Sequence, residues 1–246
     1  MNTITIVWLL VVGFGLGLKH AIEPDHLAAV STIVGGRKSL WSASLVGGLW
    51  GIGHTAALLI AGVLVMAFQL QISERTGLLL EMFVAVMLIG LGLEALRKVW
   101  LGGQIHSHTH RHGGIAHAHP HIHDNAGAHD QKEPSGENTH HGLKIGPRPL
   151  VVGLVHGLAG SGALMLLVLS TISSPAIGTL YILVFGAGSI GGMMLMSTLI
   201  GLPFHLTANR FARAELFLRG GTGLFSLIFG LFLFYDVGFT EGLLSL

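Results

Sequence analysis

The heptapeptide His20-Ala-Ile-Glu-Pro-Asp-His26 places two imidazoles and two carboxylates at the end of an apolar run. Ionisable groups are expensive inside a lipid-embedded segment, and where they occur they mark ion paths or paired sites. The alternative is an ordinary helix end, with Asp25 and His26 solvated at a surface. On an unbroken helix, residues six apart lie about 9 Å apart along the axis and roughly 120° apart around it, too far to grip one ion. Pro24 changes that geometry. It has no N–H, and its ring clashes with the carbonyl of residue 20, so the helix is expected to kink or unwind between the two histidines. Interrupted helices are tolerated at membrane depth when they line a cavity. The freed carbonyls, His20, Asp25 and His26 are then expected to converge on a cation, with Glu23 in a secondary transport or gating role.

A further polar group inside an apolar stretch is His54, in Gly51-Ile-Gly-His-Thr55. Glycine allows close helix approach, and the imidazole is expected to join the heptapeptide site as a ligand. A lone core histidine is otherwise a hydrogen-bonded structural group. His156 is a candidate for a secondary transport or gating role. His205 follows Pro203 and reads as a surface residue.

Between residues 102 and 147 the chain changes character. HSHTHRH and HAHPHIH bring His106, His108, His110, His112, His117, His119, His121 and His123, and His140-His141 follows. Gly, Pro, Asn and Asp keep the segment from packing, so it is expected to be disordered without a ligand. Alternating histidines at this density suggest metal binding. With no cysteine in the chain, disulfides and thiolate sites are excluded. Imidazole suits nickel, cobalt, zinc and copper(II), and so points to a borderline divalent transition metal. Met193, Met194 and Met196 are assigned to packing rather than to copper(I).

The elements that position these groups follow from composition. Of 246 residues, 51% are hydrophobic and 10% charged. A spanning helix needs about 20 mainly apolar residues, and six windows meet that need, at 4–21, 40–69, 77–96, 149–172, 178–206 and 215–235. The expected fold class is all-α, a polytopic membrane protein. Met1 to Thr3 offer no basic region, so the first window is kept as a helix rather than a cleaved signal. Most of the 37 glycines fall within the windows, where small residues let helices approach closely.

Arg37, Lys38, Arg97, Lys98, Arg111, Lys132, Lys144, Arg148, Arg210, Arg213 and Arg219 fall on one side of such a layout, and Arg75 on the other. By the positive-inside tendency the crowded side is cytoplasmic. Both termini are then expected outside and the His-rich loop in the cytosol, in a plasma or bacterial inner membrane. The net charge of +1 gives no reason to expect a nucleic-acid partner.

An internal repeat organises the windows. Val11-Val-Gly13 recurs as Val151-Val-Gly153, Ile52-Gly53 as Ile190-Gly191, and Leu88-Ile89 as Leu227-Ile228, at a nearly constant offset. A three-helix unit repeated once enters the membrane from opposite sides. The expected organisation is two inverted three-helix repeats, 1–101 and 148–246, joined by the His-rich loop 102–147. Inverted repeats are a transporter signature, with the site near their interface.

The heptapeptide resembles the His-X4-Asp-His signature of the nickel/cobalt transporter family. Gly53-His54-Thr55 is similar to that family's Gly-His-Ser/Thr motif, and Gly192-Met193 with Leu195-Met-Ser-Thr198 to a later one. The chain departs from classical uptake members at Gly157-Leu-Ala-Gly-Ser-Gly162, and at Ser197, where an aspartate is usual. The six-span layout and His-rich loop look more like the branch with urease-associated nickel permeases and nickel/cobalt efflux proteins.

The resemblance implies transport of Ni2+ or Co2+ as substrate, with no cofactor, through His20, Asp25, His26 and His54. A cytosolic nickel chaperone or urease accessory protein is an expected partner beside membrane lipid. Uptake is favoured, because a dication entering a cell held 100 mV inside-negative gains about 4.6 kcal/mol, twice the value for one charge. Efflux by proton exchange is the alternative. An intramembrane serine hydrolase built on Ser161 is a rival from another class, but its first motif position is Ala159, and it leaves the heptapeptide and the His-rich loop unexplained.

Overall fold

The break at Pro24 is present. In the computed structural model, which describes residues 2–35, 37, 39–70, 73–101, 106–112, 115–121, 146–159, 172, 174–207 and 212–244, helix α1 (Thr3–His20) stops at the heptapeptide and α2 (Pro24–Val34) starts within it. The Asn2 side chain accepts from the Thr5 N–H and caps α1, and Lys19 and His20 occupy its last turn, where the helix dipole favours positive charge. Glu23 is extended, with φ −63° and ψ 146°, as a residue before proline tends to be. Pro24 takes the first helical position, where its missing N–H costs nothing.

Helix α3 (Leu40–Phe68) closes on Gln69 in the left-handed region, at φ 51°. Helix α4 (Glu74–Leu101) follows. Beyond the central loop come α5 (Arg148–Ala159), α6 (Pro175–Thr207) and α7 (Ala212–Tyr235), the last extended by a π-helical turn, Asp236–Thr240. Among the described residues, five stretches are long and apolar enough to cross a membrane: α1, α3, α4, α6 and residues 213–240; α5 is a shorter apolar helix. The fold is that of an all-α polytopic membrane protein. The apolar window at 149–172 is described as helix only to residue 159, and residues 160–171, Ser161 included, lie outside the described residues.

Glycine contacts fix the relative directions of the helices. Gly13 faces Tyr181 and Gly192 faces Ala21, so α1 and α6 run parallel. Gly47 meets Met193, Gly51 meets Ile190 and Gly186 meets Thr55, so α3 and α6 are antiparallel. Gly153 abuts Trp50 and Gly157 abuts His54, which makes α5 parallel to α3. Gly92 against Leu227 and Gly223 against Ala95 set α7 antiparallel to α4. This parity is the one that consecutive crossings impose, with α1 and α2 together counted as the first and α5 as the fourth.

The interior combines buried apolar side chains such as Trp50, Leu88, Ile182 and Met193 with many small and polar residues, and glycines such as Gly17, Gly53 and Gly157 are set against neighbouring backbone. Large apolar side chains face outward, among them Val7, Trp8 and Val11 on α1, Phe83 and Val86 on α4, and Phe225 and Phe232 on α7. Such a surface suits lipid rather than water as solvent. Helix α2, which no window anticipated, is packed against α4, α6 and α7, and buries Ala28, Ala29, Val30 and Val34. At one end of the bundle Glu94 accepts from Arg148 and pairs with Lys98 at 3.0 Å, joining α4 to α5. These are exposed pairs, worth under about 1 kcal/mol each.

Part of the central loop is among the described residues. Residues 106–112 (β1) and 115–121 (β2) pair as an antiparallel hairpin, in register His106↔His121, His108↔His119 and His110↔His117. Histidine at every second position is a strand-compatible pattern. His123 and the His140-His141 pair lie outside the described residues.

Candidate metal centre

Each helix delivers its histidine to one point. His20 is the last residue of α1, Asp25 and His26 lie in the first turn of α2, His54 is the central residue of the 29-residue α3, and His156 lies in α5. Since α3 spans the bundle, the cluster sits at about half its depth. His26, His54 and His156 are fully buried and His20 nearly so, at 4% exposure. The carboxyl of Asp25 is 18% exposed.

The His20 and His54 Nε2 atoms are 3.2 Å apart. On the other side of its ring, His20 Nδ1 lies 2.7 Å from Glu23 Oε2, so Nδ1–H donates to the carboxylate and Nε2 presents its lone pair inward. A carboxylate behind a ligating imidazole is the usual device for fixing its tautomer and orientation. Glu23 therefore positions His20 rather than facing the centre. The backbone N–H of His26 donates to Asp25 Oδ1 at 2.9 Å, while Asp25 Oδ2 lies 2.8 Å from His156 Nε2 and 4.0 Å from His26 Nε2.

His26 is the middle of the cluster. Its ring centroid is 4.2 Å from those of both His20 and His156, and 5.2 Å from that of His54. Neither of its ring nitrogens has a hydrogen-bond partner among the described residues. A buried polar atom without a partner costs about 1–3 kcal/mol, so two on one side chain call for a ligand. Two sets of three donors lie within 4.8 Å of one another: His20, His26 and His54; and Asp25, His26 and His156.

One expectation about the break fails. The carbonyls of Gly17, Lys19 and His20 accept from the N–H groups of Ala21, Ile22 and Glu23, because the chain turns tightly enough at residues 21–23 to satisfy them locally. Side chains, not backbone carbonyls, supply the donors. The bundle brings together His20, Glu23, Asp25, His26, His54 and His156, and His156 is as central as the others. His205 is exposed near the end of α6. The methionines fit packing: Met193 is buried in the core, and Met194 covers Gly48.

Trp50 was not singled out by sequence. Its ring lies 5.1 Å from His26 and 5.6 Å from His156, and walls the centre on one side. Its position four residues before His54, on the same helix face, was the available signal. Phe185 of α6 forms another wall, 5.7 Å from His20.

Fold and site together define a multi-pass helical membrane protein with a histidine–carboxylate cluster at a helix break, and the sequence comparisons narrow that class. The chain is 39% identical over its whole length to the urease accessory protein UreH of Bacillus sp. (strain TB-90), covering 99% of that protein. It belongs to the UreH family. It is also 33% identical over 63 residues, a quarter of the chain and 18% of the relative, to the high-affinity nickel transport protein of Cupriavidus necator. Over 214 residues it is 26% identical to the chloroplast protein FOR GROWTH AND FERTILITY 2 of Arabidopsis thaliana, of which it covers 48%. Neither bacterial relative is named as an enzyme. No family model matches the chain, and no solved structure does.

Proposed function

We propose that this protein carries a divalent first-row transition metal ion across a membrane, with Ni2+ as the main substrate and Co2+ as a second, and that His20, Asp25, His26 and His54 are its ligands. The observation that carries the reading is His26: a fully buried imidazole with two unpartnered nitrogens, ringed by three further histidines and a carboxylate. Imidazole-rich sites without thiolate suit nickel and cobalt. The name of one bacterial relative, a high-affinity nickel transport protein, supports nickel, and that of the other, a urease accessory protein, is compatible with it.

The cluster's depth, the helix break and the two halves fit a transport site rather than a store. Helices α1 and α5, the first of each proposed repeat, pack respectively on α6 and α3, the second helix of the opposite half. Such crossed packing supports two inverted three-helix repeats with the site at their interface. The proposed direction is uptake, driven by the membrane potential across a plasma membrane, with both termini outside. The His-rich hairpin then lies in the cytosol, where its histidines collect ions for a nickel chaperone or urease accessory partner.

The test is flux of radioactive nickel into proteoliposomes holding the full chain. Wild type is expected to accumulate nickel and His26→Ala to lose at least ~10-fold of the rate, the scale on which metal-site substitutions act. A variant lacking residues 106–141 is expected to keep transport, with altered efficiency. Full flux in His26→Ala sinks the ligand assignment.

A further inference from the structure

The five donors of the cluster do not fall into one set. They divide into His20, His26 and His54 on one hand and Asp25, His26 and His156 on the other. Donor nitrogens around one ion at about 2.1 Å lie at most about 4.2 Å apart, so either triad closes on an ion with small movements. The rings of His54 and His156 are farther apart, at 6.1 Å between centroids. His26 is the shared member, equidistant from His20 and His156 at 4.2 Å.

Resting on the transport reading above, we propose that these are two successive stations for one ion, and that His26 hands the ion from the first to the second. The stations differ in charge and in origin. The first is made of three imidazoles from α1, α2 and α3, and carries no formal charge. The second adds the Asp25 carboxylate, which neutralises part of a dication's charge in a desolvated setting, and takes His156 from α5, across the long loop. Gly157, next to His156, lies against the His54 backbone, and Gly153 against Trp50. Any shift of α5 along α3 therefore moves His156 relative to the first station. Movement of one half against the other opens and closes the second triad, while the first, carried wholly by the first half, keeps its shape and His26 keeps hold of the ion. The two stations are too close to be filled together, since they share a ligand.

The experiment uses the full chain with Ni2+ as the probe. Specific binding is the part that His26→Ala removes, which subtracts the His-rich loop. Wild type is expected to bind one ion by this measure. His156→Ala is expected to keep that ion with its Kd shifted less than ~10-fold, but to lose at least ~10-fold of its flux, the range seen when a supporting ligand is removed. His156→Gln retains an N–H for Asp25 but is a poor ligand, and is expected to behave like His156→Ala. Recovery of flux by glutamine makes His156 a structural partner and overturns the handover. Binding lost as completely in His156→Ala as in His26→Ala means one joint site, and two specific ions per wild-type chain mean independent sites; either overturns the proposal and leaves the transport reading standing. Wild type that neither binds nor moves nickel overturns the transport reading itself.

Discussion

At the scale of single residues, His26 should be almost silent for stability and decisive for the ion. Removing its ring leaves a cavity in a packed interior, which costs stability, but it also removes two buried unpartnered nitrogens, each about 1–3 kcal/mol unfavourable. The two effects oppose each other, so His26→Ala is expected to melt close to the wild type without metal. With nickel at 100 times its Kd, the wild type should gain about 2.7 kcal/mol, because the folded centre binds and the unfolded chain does not. The loop histidines add little to this shift, being accessible in the unfolded chain too. The variant should show no comparable gain; a nickel-induced rise in its melting temperature equal to that of the wild type contradicts the ligand assignment. His20, Asp25, His26 and His54 were legible in the sequence because type and spacing mark them in segments where lipid tolerates few such groups. His156 was undervalued, since its neighbours Asp25 and His26 are 130 or more positions away. A local cue existed: Gly157 beside His156 mirrors Gly53 beside His54, each glycine meeting backbone of the other helix.

At the scale of elements, close approach of α3 and α5 is what sets the distance between His54 and His156. A Cβ on Gly53 would strike the Leu150 carbonyl oxygen and lie 3.0 Å from the Leu154 nitrogen, both of them backbone atoms that a side-chain rotation cannot relieve. Gly191 has nothing within 4 Å of the same position. Gly53→Ala is therefore expected to separate the helices, lower the melting temperature and weaken transport, whereas Gly191→Ala should be neutral or stabilising by up to about 1 kcal/mol through helix propensity alone. Thermal unfolding of the purified pair, read with nickel flux, checks this; equal effects would mean that the glycines serve only backbone flexibility. The long helices were legible because runs of about 20 apolar residues have few other uses. Helix α2 was not, because it is only 11 residues long and is held by surrounding helices rather than by lipid. In the loop, polar composition argues against packing, while histidine at every second position is compatible with the pairing of residues 106–112 with 115–121.

At the scale of the whole molecule, the direction of transport turns on what drives the ion through a mid-depth site. A divalent ion crossing toward a side held 100 mV negative gains about 4.6 kcal/mol, twice the value for a unit charge. That corresponds to an accumulation ratio slightly above 10³, since each 1.4 kcal/mol is a factor of ten. No coupled ion is needed for uptake on this scale. Efflux against the same potential needs at least as much free energy from another gradient, and among the described residues the carboxylate in the metal-donor sets is Asp25 alone, partly buried and already engaged with His156. Glu23 is held by His20 at the rim. Proteoliposomes decide between the two, and random insertion does not matter because a uniporter works in either orientation. With a potassium diffusion potential set inside-negative and no pH difference, nickel is expected to accumulate, and the effect should reverse when the potential is reversed. With a pH difference and the potential clamped at zero, accumulation should be absent. Accumulation that follows the pH difference and ignores the potential would instead assign the protein to proton-coupled exchange, and would give the Asp25–His156 pair the proton as well as the metal.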